Sequence, residues 1–222
     1  MATRIVREAL EGTGIELVAS CGVDAYDAEA PARLRSAELM PGARGVVVAA
    51  SAGTRLWRRF REHMDADRAR WAEPNPYDAF IAATLARADE ALARAGVRFS
   101  CFDAAFDAPI RLSFIALARL VGLGDPGPFM LAIHPAHGPW WALRGAWLVD
   151  VEVDPPLAHA PPCAGCHAPC VGGWENAGGI ARATPEVRAR CVVGQDSRYD
   201  DDQIAYHYDR ENAVRRFQKS PS

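Results

Sequence analysis

The segment Ile133-His-Pro-Ala-His-Gly-Pro-Trp-Trp-Ala-Leu-Arg-Gly-Ala-Trp-Leu-Val-Asp150 limits what this chain can fold into more than any other. From Trp140 onward it is apolar, β-branched and aromatic, broken only by Gly145, as suits a strand on a pleated surface. Strict alternation assigns Trp141, Leu143, Trp147 and Val149 to one face. Trp140, Ala142, Arg144, Ala146 and Leu148 take the other. Arg144 then stands on an apolar face, where an unpaired charge is costly. Two readings follow: a structural ion pair, or a cation kept for a ligand. Gly145 removes a side chain where a ligand or another backbone can come close. His134-Pro135 and Gly138-Pro139 stiffen the approach to the strand.

Around this strand the pattern is mixed. Gly45 to Ala50 is a continuous apolar run, expected as a strand covered on both faces. Shorter strands are expected at Ile15 to Ala19 and Val97 to Phe102. Pro128 to Ile133 is expected as a strand neighbouring Trp140 to Val153. Helices are expected over Thr3–Gly12, Pro31–Met40, Arg55–Trp71 with Thr54 as N-cap, and Asp78–Ala95 closed by Gly96. Two more follow at Ile110–Val121 and Asp200–Lys219, the last opened by acids and closed by bases as the helix dipole prefers. Strands interleaved with helices indicate an α+β layered fold. The expected division is a core over residues 1–155, with residues 156–222 adding a cysteine loop and a C-terminal helix packed on it.

At 222 residues, half hydrophobic and with a net charge of −3, the chain reads as one globular domain with no nucleic-acid surface. No secretory leader or bilayer-length apolar run is visible, so a cytoplasmic setting is expected. There, six cysteines are expected as thiols or metal ligands rather than disulfides. Cys163-x2-Cys166-x3-Cys170, with Cys191 further on, is the sharpest cluster. Four thiolates at such spacing suit a [4Fe–4S] cluster or zinc, and His167 offers a substitute ligand. The bland alternative is a loop of free, partly buried thiols. The six histidines show no metal-ligand spacing on a helix. The glycines of Gly122 to Gly127 follow a helix rather than a strand, so they make no dinucleotide fingerprint. Arg144, Arg190 and Arg215 or Arg216 form a candidate anion clamp, because a guanidinium fork holds a carboxylate bidentately.

Ile133-His-Pro-…-Gly-Pro-Trp-Trp-Ala-Leu-Arg-Gly resembles a stretch of the cobalamin-processing proteins of the cblC type, which remove cyanide or alkyl groups from cobalamin. A second match is Arg190-x7-Arg198-Tyr199-x3-Gln203-x-Ala205-Tyr206. A weaker one is Asn75-Pro-Tyr-Asp78. The cysteine segment is similar instead to the epoxyqueuosine reductases, which pair cobalamin with iron–sulfur clusters, although their double cluster motif is incomplete here. Both families imply a flavin nitroreductase-like scaffold. The cblC resemblance implies glutathione contacts at Arg144 and Arg190, with Arg215 a rough third. It implies cobalamin contacts at Asp103, at Leu112, Ser113, Phe114 and Ile115, at Ala132 and at Leu143. An Asp-x-His-x2-Gly corrinoid motif is absent: Ala132 stands where its Asp would be.

The leading expectation is a protein that binds cobalamin and reductively removes its upper ligand, with glutathione or FMN as reductant. A redox partner protein and a homodimer accompany it. A non-catalytic cobalamin carrier, and an iron–sulfur oxidoreductase without corrinoid, are the rival classes.

Overall fold

A computed structural model describes residues 1–104, 110, 112–176 and 184–219, with the backbone alone for 173–176 and 219. Four strands form one antiparallel sheet: β1 (Leu17–Gly22), β2 (Gly45–Ala52), β3 (Phe99–Asp103) and the long strand Trp141–Val149. Two short strands precede the last, β4 (Asp125–Pro126) and β5 (Ala132–Ile133), which makes Trp141–Val149 β6. The sheet order is β1-β2-β6-β3. The helices are α1 (Ala2–Leu10), α2 (Val23–Glu29), α3 (Ser36–Leu39), α4 (Arg55–Ala66), α5 (Pro76–Arg94), α6 (Phe114–Leu120), α7 (Pro169–Asn176), α8 (Pro185–Ala189), α9 (Asp201–Tyr208) and α10 (Arg210–Lys219).

β2 explains why the sheet carries two cores. Val47 and Ala49 point into one apolar cluster, with Trp57 and Phe60 of α4, Tyr77, Ile81 and Leu85 of α5, and Tyr206 and Phe217 of the C-terminal helices. Val46, Val48 and Ala50 point into the other, with Tyr26, Leu112, Leu117 and Val121. A strand covered on both faces has no solvent side, so its sequence is apolar without alternation. The architecture is α+β and layered, as expected.

Several local expectations are corrected. β5 spans two residues and pairs with β4, not with β6, because Met130 turns the chain at φ 65° before it extends. The 31–40 helix is a 3-10 turn followed by the four-residue α3, while Val23–Glu29 forms an unanticipated helix. α5 opens two residues before Asp78, with Pro76 in its first turn. There a missing N–H is no loss. Gly96 follows at φ 71°, the left-handed stop expected of it. Thr54 precedes α4 but its hydroxyl makes no capping bond. The C-terminal helix is two helices: Asp200 caps α9 by accepting from Gln203 N at 2.8 Å, and Asp209 leaves helical geometry between them.

The largest correction concerns β6. Ala49 pairs with Gly145 and Ala50 with Leu143, so Arg144 is an extra residue on the bulged strand. A bulge puts two successive residues on one face and reverses the alternation beyond it. Trp141 and Leu143 therefore share a cluster with Ala146 and Leu148, while Trp147 and Val149 join the α4–α5 side. Gly145 faces that side too: a Cβ there meets Leu85 Cδ1 at 2.9 Å, so its lack of a side chain serves helix packing.

Gly138 and Gly194 lock the turn before β6 to the segment after Cys191. Both have positive φ, and a Cβ on either runs into backbone of the other loop. Alanine at either position is expected to destabilise the fold by about 2–4 kcal/mol, from the left-handed penalty plus the clash. Chemical denaturation of Gly138→Ala measures it, with Gly12→Ala, where a Cβ meets nothing, as the control for positive φ alone.

Candidate functional site

The bulge aims Arg144 at the α5 side. Its Nε donates to Ser51 Oγ at 2.9 Å and one terminal nitrogen to Tyr77 Oη at 3.4 Å, with the guanidinium 5.3 Å from the Tyr77 ring centre. No carboxylate among the described residues pairs with it. The structural ion-pair reading therefore has no partner there.

Arg188 is a second such cation, and sequence reasoning passed over it. Thr184 caps α8 by accepting from Val187 N at 3.3 Å, which sets the phase of the helix. Val187, Arg188 and Cys191 then face inward, and Arg190 is exposed. Arg188 is 8% exposed, with its guanidinium 4.5 Å from the Trp140 ring centre and 4.8 Å from that of Tyr199. It donates to the Pro139 carbonyl and to Tyr208 Oη, while its buried Nε has no partner. The inward spacing of 187, 188 and 191 was the available signal. A buried guanidinium without a carboxylate is costly, and an anionic ligand is the ordinary compensation.

His207 ties the two together. Its ring lies 5.7 Å from Tyr77 and from Tyr199 and 6.0 Å from Tyr206. The residue as a whole is exposed. Its place among so many protein atoms, then the positive charges of Arg144 and Arg188, hold its pKa down to about 3. At neutral pH the imidazole is uncharged and lies beside two cations, Arg144 and Arg188.

The residues that the resemblance assigned to cobalamin lie around the opposite cluster. Leu112 and Ala132 are buried in it, and Phe114 and Leu143 pack against it. Ala132 O accepts from Trp141 Nε1 at 2.8 Å. Ser113 is exposed and caps α6 through Ala116 N, and Ile115 is 37% exposed. Asp103 ends β3, an edge strand, opposite Gly145 and beside the bulge. Residues 105–109 and 111 follow it outside the described residues. Arg215 is an exposed residue of α10, ion-paired to Glu211 on its own helix.

The cysteines converge. Cys163, Cys166, Cys170 and Cys191 all line one cavity of about 380 Å³, against Phe129 and Ile133. Burial first, then the neighbouring cysteines, raises the Cys163 and Cys170 thiols above their ordinary range. Among the described residues no three ligating side chains are gathered tightly enough to share one ion.

His134 is buried beside this cavity, its Nδ1 accepting from the amides of Ala136 and His137 at 3.0 and 3.2 Å. Burial, then His137 and His159, lowers its pKa from 6.5 to about 4. Above pH 6.5 neither the folded nor the unfolded form is protonated. Below it the unfolded chain takes up a proton that the folded chain refuses until about pH 4, so stability falls as pH is lowered through that window. Melting temperatures across the window measure this, and His134→Asn, which keeps an acceptor, is expected to flatten the decline.

With helices flanking it, the layered sheet is of the α+β class. Within it, the solved structure of the B12-trafficking protein CblC from C. elegans is similar at TM-score 0.70 and 12% identity, over 100% of this chain and 97% of that one. Epoxyqueuosine reductase from Streptococcus thermophilus is similar at TM-score 0.55 and 15% identity, covering 87% of this chain. A selenomethionine-labelled epoxyqueuosine reductase matches at 0.55 and 16%. The chain spans about half the length of these reductases, 54% and 50%. At such identities the likeness is one of fold. The sequence matches no family profile and no curated protein. No described helix is long and apolar enough to cross a membrane.

Proposed function

We propose that this protein binds cobalamin as substrate and removes its upper ligand with the help of an anionic thiol. The observation that carries the reading is the pair of guanidiniums, Arg144 and Arg188, with no carboxylate partner among the described residues, beside neutral His207. The fold shared with a B12-trafficking protein supplies the substrate class. In this reading Asp103, Leu112–Ile115, Ala132 and Leu143 border the corrinoid, and Trp141 and Leu143 exclude water from it. Arg144 and Arg188 hold the carboxylates of a tripeptide thiol such as glutathione, and their charge favours its thiolate. Arg190 and Arg215 are exposed, and in this reading their charge draws that anion toward the protein.

A thiolate held toward an upper alkyl ligand forms a sulfur–carbon bond while the cobalt–carbon electron pair stays on cobalt. Arg144 and Arg188 fix the angle of approach, which is where an enzyme gains most in a two-reactant step. The test is an anaerobic incubation of methylcobalamin with protein and glutathione, followed by separation of the products. S-methylglutathione forming in proportion to protein supports the reading. Bound cobalamin recovered unchanged makes the protein a carrier, and reduced FMN replacing glutathione with full activity moves the reductant away from Arg144.

A further inference from the structure

His207 has no part yet in the chemistry just proposed, although it stands between the tyrosines that carry Arg144 and Arg188. It is the penultimate residue of α9. On one side its ring lies 5.7 Å from Tyr77, whose hydroxyl accepts from Arg144 and whose ring centre is 5.3 Å from that guanidinium. On the other it lies 5.7 Å from Tyr199, whose ring centre is 4.8 Å from the guanidinium of Arg188. Tyr206, before it on α9, approaches at 6.0 Å, and Tyr208, after it, accepts from Arg188. The chain thus sets a nitrogen base between two groups suited to carboxylates.

Glutathione has a matching layout. Its two carboxylates stand at the ends of the molecule, and its thiol projects from the central cysteinyl residue. With one carboxylate on each guanidinium, the sulfur comes toward the imidazole between them.

Three properties fit His207 for taking the thiol proton. It is exposed, so a ligand can reach it. It is uncharged at neutral pH, because desolvation, then Arg144 and Arg188, holds its pKa at about 3. Carboxylates on the two arginines offset the charges that disfavour an imidazolium, and a thiolate beside the ring favours one, so ligand binding raises its proton affinity. The phenols nearby cannot take its place. Burial pushes the Tyr77 hydroxyl up to about 12 against the pull of Arg144, and burial raises Tyr206 too, with the Asp78 charge adding to both. Both therefore keep their protons at neutral pH.

We infer that His207 is the general base of the upper-ligand reaction, accepting the proton of a tripeptide thiol whose carboxylates lie on Arg144 and Arg188. The S–H bond breaks and an N–H bond forms on the imidazole. The thiolate then forms the sulfur–carbon bond, while the cobalt–carbon pair stays on cobalt. The imidazolium returns its proton to water when the thioether leaves, so no further oxidant or reductant enters. This inference rests on the thiol-dependent reading of the site.

The test is anaerobic kcat/KM for glutathione with methylcobalamin and the full-length protein, followed as S-methylglutathione from pH 5.5 to 8.5. A base of low pKa meeting a neutral thiol gives wild type a flat profile below the thiol's pKa of about 8.5. His207→Gln has no titrating nitrogen and depends on thiolate already in solution. Its kcat/KM is expected to fall roughly tenfold for each pH unit below that value and to approach wild type at pH 8.5. His207→Phe, which keeps a ring against Tyr77 and Tyr199, is expected to show the same slope, so loss of the base is separable from loss of packing. Binding of S-methylglutathione is the control. It keeps both carboxylates and has no thiol proton, so wild type and variants should bind it alike across the range. Equal binding with a wild-type profile as steep as the variants' overturns the role of His207 and leaves the arginine site standing. So does a flat profile in both variants. Wild type that binds no S-methylglutathione, or forms no product at any pH, overturns the reading of the site and this inference with it.

Discussion

Arg144→Ala is expected to lower kcat/KM for thiol-dependent removal of the upper ligand by about 10–100-fold, the equivalent of a charged hydrogen bond worth ~1.5–3 kcal/mol. The fold is expected to change little. Among the described residues Arg144 bonds to the hydroxyls of Ser51 and Tyr77 and to no carboxylate, so its removal strands no buried carboxylate there. Two neutral hydrogen bonds set the loss at about 1–2 kcal/mol, a shift of roughly 3–6 °C in melting temperature for a chain of this length. The loss should appear as a raised KM for glutathione with cobalamin affinity retained, because Arg144 bonds to Ser51 and Tyr77 and to none of the residues assigned to the corrinoid. Arg144→Lys keeps the charge without the fork and is expected to recover only part of the activity. Unchanged glutathione dependence in Arg144→Ala would remove the residue from the account.

Trp147→Ala should give the opposite profile, a large stability loss before any question of chemistry. Trp147 is fully buried on the α5 side of β6, and its Nε1 donates to Asp89 Oδ1 at 2.6 Å. Truncation removes the indole from the principal core, leaves a cavity against Gly145 and strands a half-buried carboxylate. The expected cost is about 3–5 kcal/mol, or roughly 10 °C in melting temperature. Trp147→Phe keeps most of the volume and loses the donor, so about 1–2 kcal/mol of the total should appear there. Denaturant titration of the two variants separates packing from hydrogen bonding. A loss under ~1 kcal/mol in the alanine variant contradicts the placement of β6 between the two cores.

Much of this was legible in the residues. The Gly45–Ala50 run announced a strand buried on both faces, and Gly96 announced the end of α5. The cysteine spacing suggests convergence on one ion; the four cysteines line one cavity, but among the described residues no three ligating side chains are gathered to share an ion. The site was harder because its geometry rests on exceptions to periodicity. A bulge adds one residue to a strand, and nothing in Leu143-Arg144-Gly145 except the glycine marks it. Alternation therefore put Arg144 with Ala146 and Leu148, when it belongs with Gly145 and Trp147. Arg188 escaped notice because the phase of a five-residue helix is set by its cap, Thr184, and spacing had favoured Arg190. His207 has no motif of its own. Its neutrality comes from Tyr77, Tyr199 and two arginines, which are brought together only by the fold.

Anaerobic titration with methylcobalamin, followed in the visible spectrum, tests the central claim most directly. The account predicts saturable binding with a shift to the base-off form, because no motif here supplies a histidine to cobalt's lower face and the nucleotide tail must leave the metal for the apolar cluster of Leu112, Ala132 and Leu143 to receive the ring. A spectrum unchanged at saturating protein would contradict it.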